Sequence, residues 1–259
     1  MRKAFRELLD SGKKFIGAYM MYPCPETVEV MKLAGLDFVI LDYEHGCLTS
    51  SDMMHMIRAA DSVGLAVMIR VPEISEAMIK RSLDMGASAI RIPGIHSAEE
   101  ARRVVEYAKF PPMGKRGACP HVRFNNYGVG DRTDCWARAN AETVISVSIE
   151  DMEGYQHLEE ICQVEGVDAL NVGNVDLALA MGVPGEVKHP KVKQAMLDVA
   201  AMAHKYGKTS HIFIFEASDA AEYTDVAGVG YFQVHVPHQM LYEGYKNLSD
   251  GIHHYCPDK

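Results

Sequence analysis

Eight short apolar runs, mostly separated by one helix-forming segment each, leave this chain few folds to choose from. The runs are Phe15–Tyr19, Phe38–Asp42, Ala66–Arg70, Ala89–Pro93, Val144–Ile149, Ala169–Gly173, Thr209–Phe215 and Tyr231–Val236. They are too short and too rich in β-branched residues to be helices, and too uniformly apolar to face water on one side. They therefore read as strands of a parallel sheet covered on both faces. The intervening stretches Pro25–Ala34, Ser51–Val63, Ser75–Met85, Ser97–Tyr107, Gln156–Val164, Pro190–Tyr206 and Ser218–Val226 read as helices. Ser50 or Ser51 can cap the second of these, Ser97 with Glu100 forms a capping-box pattern, and Pro190 suits a first turn. Phe5, Leu8 and Leu9 add a short amphipathic helix at the start, and Pro237–Tyr255 a long one at the end.

Eight such repeats predict a (β/α)8 TIM barrel in a single domain, a size at which that fold is common. An open doubly wound sheet is the alternative, but no Gly-x-Gly-x-x-Gly turn follows the early strands. The stretch Phe110–Thr133, dense in Pro and Gly, exceeds the usual length of a connection and is expected to be a functional loop.

A formal charge of −9 without basic clusters argues against nucleic acid or an anionic membrane as partner. No apolar run is long enough to span a membrane, and the first residues lack a secretory pattern. Six dispersed cysteines without a CxxC suit reduced thiols, so a cytoplasmic location is expected.

In a barrel of this kind chemistry sits at the C-terminal ends of the strands. Asp42, Glu44 and His45 end the second strand, Arg70 the third, Glu150 the fifth, and Asn174 and Asp176 follow the sixth. Two carboxylates on neighbouring strands, Glu150 and Asp176, make a seat for a hard divalent cation; singly, each reads equally well as a strand-end salt-bridge partner or helix cap. Arg70 has the alternative of a rim ion pair with Glu44 or Glu73.

The segments Leu41-Asp42-Tyr43-Glu44-His45, Ile69-Arg70-Val71-Pro72, Leu83-Asp84-Met85-Gly86-Ala87, Phe110-Pro111-Pro112-Met113-Gly114-Lys115-Arg116-Gly117, Ile149-Glu150 and Val172-Gly173-Asn174-Val175-Asp176-Leu177-Ala178 stand in an order that resembles the HpcH/HpaI aldolases. The resemblance runs from about Phe15 to Gly207. It implies a class II pyruvate aldolase holding Mg²⁺, Mn²⁺ or Co²⁺ on Glu150 and Asp176, a cation that draws charge from the C2 keto group. It further implies that Arg70 contacts the keto oxygen and that His45 and Asp42 form an acid–base dyad. Glu44 would stand behind the metal site, and the amides of Gly173 and Val175 would receive the carboxylate, with Ser148 also near the substrate. The sequence departs from the family's usual pattern at Ser148, where a glutamine is common, at Asn174, where proline is common, and at the end of strand eight, Val234-His235-Val236-Pro237.

The expected reaction is reversible aldol cleavage of a 4-hydroxy-2-oxo acid to pyruvate and an aldehyde. Decarboxylation of a 2-oxo diacid such as oxaloacetate is a second reading, and a metal-binding oligomeric scaffold without turnover a third. Arg123, His121 and Tyr127 in the long loop are placed either at the aldehyde or in a subunit contact. The resemblance also implies a homo-oligomer, a hexamer, in which the terminal helix Pro237–Tyr255 can exchange between neighbours.

Overall fold

The computed structural model describes residues 4–130 and 134–256. Its eight strands are β1 (Phe15–Met20), β2 (Phe38–Asp42), β3 (Ala66–Arg70), β4 (Ala89–Ile92), β5 (Val144–Ile149), β6 (Ala169–Val172), β7 (Thr209–Phe213) and β8 (Val229–Val234). All pair in parallel in sequence order, and β8 closes on β1. The expected (β/α)8 barrel is therefore the fold.

Helices α1 (Phe5–Asp10), α2 (Pro25–Leu33), α3 (Ser50–Val63), α4 (Glu76–Asp84) and α5 (Ala98–Ala108) precede the long loop. Beyond it come α6 (Cys135–Glu142), α7 (Met152–Gln156), α8 (Leu158–Cys162), α9 (Asn174–Ala180), α10 (Pro190–Lys205), α11 (Ala220–Tyr223) and α12 (Pro237–Tyr255). Capping decides several starts. Thr49, rather than Ser50 or Ser51, caps α3 in a reciprocal box with Asp52. Ser97 caps α5 as expected, but the Glu100 carboxylate reaches back to the amide of His96, one residue beyond the cap. The single helix expected over Gln156–Val164 is two short ones, because His157 leaves the helical region at φ −95°, ψ 13°. Ser218–Val226 likewise contracts to a 3-10 turn and α11.

The loop expected over Phe110–Thr133 is not wholly irregular: Arg123–Gly128 coil into a 3-10 turn. Its last residues, including Thr133, lie outside the described residues. Arg116 anchors it, donating to Asp84 at 2.6 Å while its guanidinium lies against the rings of Phe110 and Phe124.

Strand register sorts the barrel interior into layers. At the N-terminal end, Phe15, Phe38 and Tyr231 pack with Phe5 of α1, ring centroids 4.8–5.7 Å apart. Gly17 is required there, since a Cβ would stand 2.4 Å from the Phe38 ring. Met68, Ala66, Ala89, Val144 and Ala169 complete this apolar plug. Above it lies a polar layer, in which Arg91 pairs in register with Arg70 on one side and Ser146 on the other, and His211 with Asn171 and Tyr231. The mouth opens over that layer. A second, larger core joins the outer strand faces to the helices. Among the described residues, no helix is long and apolar enough to cross a membrane.

Candidate active site

A cleft of about 180 Å³ opens at the C-terminal mouth of the barrel. Arg70, Glu150, Gly173, Val175 and Asp176 all line it, so the third, fifth and sixth strand ends converge as the sequence suggests. Tyr19, Asn171, Asn174, Phe213, Phe215 and Gln233 complete the wall.

Arg70 is the most firmly held side chain. Its Nε and Nη2 donate to Asp42 Oδ1 and Oδ2 at 2.9 and 2.7 Å, a bidentate fork, and its guanidinium lies 4.6 Å from the centroid of the Tyr19 ring. Glu44 adds an ion pair to Nε at 3.1 Å. Burial opposes the charge, yet the hydrogen bonds that the guanidinium donates to Asp42 and the fields of Tyr19, Asp42 and Glu44 outweigh it and hold its pKa above the ordinary value.

This geometry corrects the expected Asp42–His45 dyad. The fully buried Asp42 carboxylate accepts from Arg70 and from the backbone amides of Glu44 and His45, at 3.1 and 3.2 Å. It therefore touches His45 through the main chain, not the imidazole. The ring is largely exposed, and its Nε2 lies 3.7 Å from Glu44 Oε2. The rim ion pair weighed as the alternative for Arg70 exists with Glu44, but it leaves the bidentate contact with Asp42 intact.

Glu150 leans across Gly173: a Cβ added there would come within 2.7 Å of Glu150 Cγ. Its carboxyl is pushed up to about 7, first by burial, then by the negative charges of Asp176 and Glu44, with Arg70 and Arg91 opposing. Among the described residues neither Glu150 nor Asp176 has a cation within ion-pair distance, and the buried Glu44 Oε2 is without a hydrogen-bond partner. Glu150 and Asp176, the second in the field of the first and neither paired with a cation, form a two-carboxylate donor set suited to a hard divalent ion, with Glu44 standing behind them on Arg70. No cluster of three or more ligand-type side chains converges among the described residues, so such an ion would keep positions for water and substrate oxygens.

Gly173 and Val175 are divided by the structure. The Gly173 N–H is spent on Ile149 O at 3.0 Å, in the sheet. The amides of Asn174, Val175 and Asp176, at the start of α9, have no acceptor among the described residues. Ser148 is fully buried and does not line the cleft; it accepts from Asn171 Nδ2 at 2.8 Å, and Asn171 is the residue at the wall. Arg123, His121 and Tyr127 do not line it either. Arg123 is bound to Asp61 of α3 at 2.5 Å. The sequence reading missed Tyr19, Asn171, Phe213 and Gln233. Each is inward-facing in mid-strand or at a strand end, and only the alternation of side chains along a strand marks it.

The sequence pattern of the family described as HpcH/HpaI aldolase/citrate lyase matches residues 16–230. A 5-keto-4-deoxy-D-glucarate aldolase of Klebsiella pneumoniae is 34% identical over 221 residues, 85% of this chain and 86% of its own. The crystal structure of an HpcH/HpaI aldolase from Desulfitobacterium hafniense superposes with a TM-score of 0.92 at 28% identity, covering 97% of both chains. That of a citrate synthase reaches 0.88 at 26% identity and covers 99% of both. With the barrel and its acidic, arginine-bearing mouth, these likenesses identify the chain as a carbon–carbon lyase that belongs to the HpcH/HpaI aldolase/citrate lyase family.

Proposed function

We propose that the protein reversibly cleaves a 4-hydroxy-2-oxo acid into pyruvate and an aldehyde, with a divalent ion such as Mg²⁺, Mn²⁺ or Co²⁺ held by Glu150 and Asp176. The observation that carries this reading is the clamped guanidinium of Arg70 in the same cleft as two carboxylates that have no cation of their own. When bound, the ion supplies Lewis acidity to the 2-oxo acid.

The protein's own groups do the remaining work. When the C3–C4 bond breaks, its electron pair moves onto the three-carbon fragment and charge grows on the C2 oxygen. Arg70, fixed by Asp42, offers N–H donors to that oxygen, the kind of contact worth ~3 kcal/mol in a transition state. The free amides of Asn174, Val175 and Asp176 receive the carboxylate, and Gly173 leaves room for Glu150 to stand beside them. His45, at the rim beside Glu44, takes the proton of the C4 hydroxyl in cleavage and returns it in synthesis. Glu44 orients both His45 and Arg70. Phe213 and Phe215 give the cleft an apolar wall on the β7 side.

Exchange of pyruvate methyl protons with solvent deuterium tests the reading. Exchange that needs a divalent ion and is lost in Arg70→Ala supports it; full exchange in that variant sinks it. Oxaloacetate decarboxylation, which builds the same charge on the same oxygen, is measured on the same samples. Membership of a lyase family displaces the reading as a scaffold without turnover.

The same proposal includes a homo-oligomer, a hexamer, with α12 exchanged between neighbours. Of α12 only Pro237 is buried, while Met240, Leu241, Tyr245, Leu248 and Ile252 stand exposed. An apolar stripe of that length calls for a covering surface. Cys24, Cys47, Cys119, Cys162 and Cys256 are free thiols, which suits a reducing compartment such as the cytoplasm.

A further inference from the structure

The largest fully buried side chain of the barrel is a cation. Arg91 projects from β4 into the polar layer beneath the cleft, with no exposed surface, and no carboxylate lies within ion-pair distance of it among the described residues. Its hydrogen bonds among the described residues are to neutral groups: Nη1 donates to Gln233 Oε1 at 2.7 Å and to the Tyr19 hydroxyl oxygen at 3.1 Å, Nη2 to His211 Nδ1 at 3.1 Å, and the Tyr231 hydroxyl stands beside them. A buried charge in this state is costly unless something nearby compensates it. Arg70, one strand away, is already matched by Asp42 and Glu44.

Guanidinium groups only donate, and that fixes what surrounds Arg91. The Gln233 carboxamide must turn its oxygen to Nη1, so its Nε2 points the other way; that nitrogen has no partner among the described residues, and Gln233 lines the cleft. Tyr19 accepts from the same Nη1, so its proton is directed away from Arg91, and Tyr19 lines the cleft too. His211 accepts at Nδ1 and is held neutral by burial and by the Arg91 charge, so it cannot stand in for an anion.

We infer that Gln233 is a substrate-contacting, specificity-determining residue and Arg91 the positioning residue behind it: together they present an N–H donor, backed by positive charge, to an acceptor oxygen of the anionic substrate at the floor of the cleft. The chemical class selected is one with an oxygen acceptor there, a carboxylate or keto oxygen, over one with an N–H donor. This rests on the 2-oxo-acid reading of the site and adds the floor of the cleft to it.

Oxalate and oxamate, close in shape but differing by a charged acceptor oxygen against a neutral amide donor, test it. Their affinities are measured by calorimetry in excess Mg²⁺ for the wild type, Gln233→Met and Arg91→Lys. Gln233→Met keeps the length and the neutrality of the side chain and removes the donor, so no new charge acts on either ligand. It should move the oxalate-to-oxamate affinity ratio at least about tenfold toward oxamate. Arg91→Lys keeps the charge but loses the fork that orients Gln233 and Tyr19. It should weaken oxalate severalfold, with a smaller move of the ratio in the same direction. A purely structural role would lower both affinities together and leave the ratio where it was. An unchanged ratio in both folded variants, with the wild type binding both ligands, overturns this inference and leaves the 2-oxo-acid reading standing. A wild type that binds neither ligand and exchanges no pyruvate protons overturns that reading, and this inference with it.

Discussion

Replacing Asp42 by Asn separates two roles that the sequence left joined. The carboxylate is fully buried and accepts four hydrogen bonds, two from the Arg70 guanidinium and one each from the Glu44 and His45 amides. An asparagine oxygen still receives Arg70 Nε and the two amides, but its NH₂ then confronts Arg70 Nη2, donor against donor. One charged hydrogen bond worth ~1.5–3 kcal/mol is lost, and the guanidinium keeps only Glu44, at 3.1 Å, as counter-charge. Breaking a buried pair costs ~3–5 kcal/mol, and since the Arg70 side chain retains some exposure and a second acid, a loss of about 2–4 kcal/mol is expected. For a domain of this size that corresponds to a fall in Tm of about 5–15 °C. The turnover effect is larger in proportion: with the fork free to swing, deuterium exchange of pyruvate should fall by ~10²–10³, as when a fixed donor to a developing oxyanion is removed. Glu44→Gln, which leaves the bidentate contact intact, should cost less on both counts. The pH profile is decisive. Asp42 touches the backbone of His45 and not its ring, so Asp42→Asn should lower the plateau of the aldol cleavage rate without moving the pH at which it rises. A shifted limb with an unchanged plateau would show that Asp42 acts through the imidazole after all, and the clamp assignment would fall.

Four further outcomes are expected. Glu150→Gln or Asp176→Asn should abolish Mn²⁺ binding in calorimetry; retained affinity in either would remove that residue from the ion's ligands. In the metal-free protein Glu150 titrates near 7 against an ordinary 4.5, so the folded state holds a proton that the unfolded chain has released. Stability in a chelator should therefore fall as pH rises from about 4.5 through 7, by up to ~3 kcal/mol, and Glu150→Gln should flatten that slope in urea titrations. Gly173→Ala places a methyl 2.7 Å from Glu150 Cγ and should weaken Mn²⁺ about tenfold or more while leaving the barrel folded by circular dichroism. Removal of residues 237–259 should convert a hexamer to smaller species in light scattering, and an unchanged mass would exclude α12 from the assembly.

The barrel was legible because its signal is redundant. Each strand is a continuous apolar run, and misplacing one boundary, as at Ala169–Gly173 or Tyr231–Val236, does not alter the count or the order. Strand ends were legible for the same reason: a charged residue such as Arg70 or Glu150 at the close of an apolar run must leave the core. Helix caps were read less well, because Thr49, Ser50 and Ser51 are all chemically able to cap and only the reach of Asp52 back to Thr49 decides among them. The partner of a given acid was not legible at all. Asp42 lies three residues from His45 and twenty-eight from Arg70, and sequence proximity favours the wrong ring nitrogen over the right guanidinium.

The floor of the site shows most clearly where a one-dimensional reading stops. Arg91 stands inside an apolar run, where a lone cation is naturally assigned to the sheet's outer face, and Gln233 sits in a strand whose departure from the family pattern falls one step later. Neither carries a signal alone. In register, however, Arg91 follows Arg70 across β3 and β4, and Gln233 follows Gly17 across β8 and β1, so the closure of the barrel turns both side chains inward at one level. Closure brings together residues 142 positions apart, and their hydrogen bond converts an amide of undefined orientation into a donor of fixed direction. The upper half of the site, where Glu150, Asp176 and Arg70 meet, follows from strand-end chemistry shared by the barrel class. Its lower half depends on which strands become neighbours when the sheet closes, and on the fact that a guanidinium can only give hydrogen bonds and never take them.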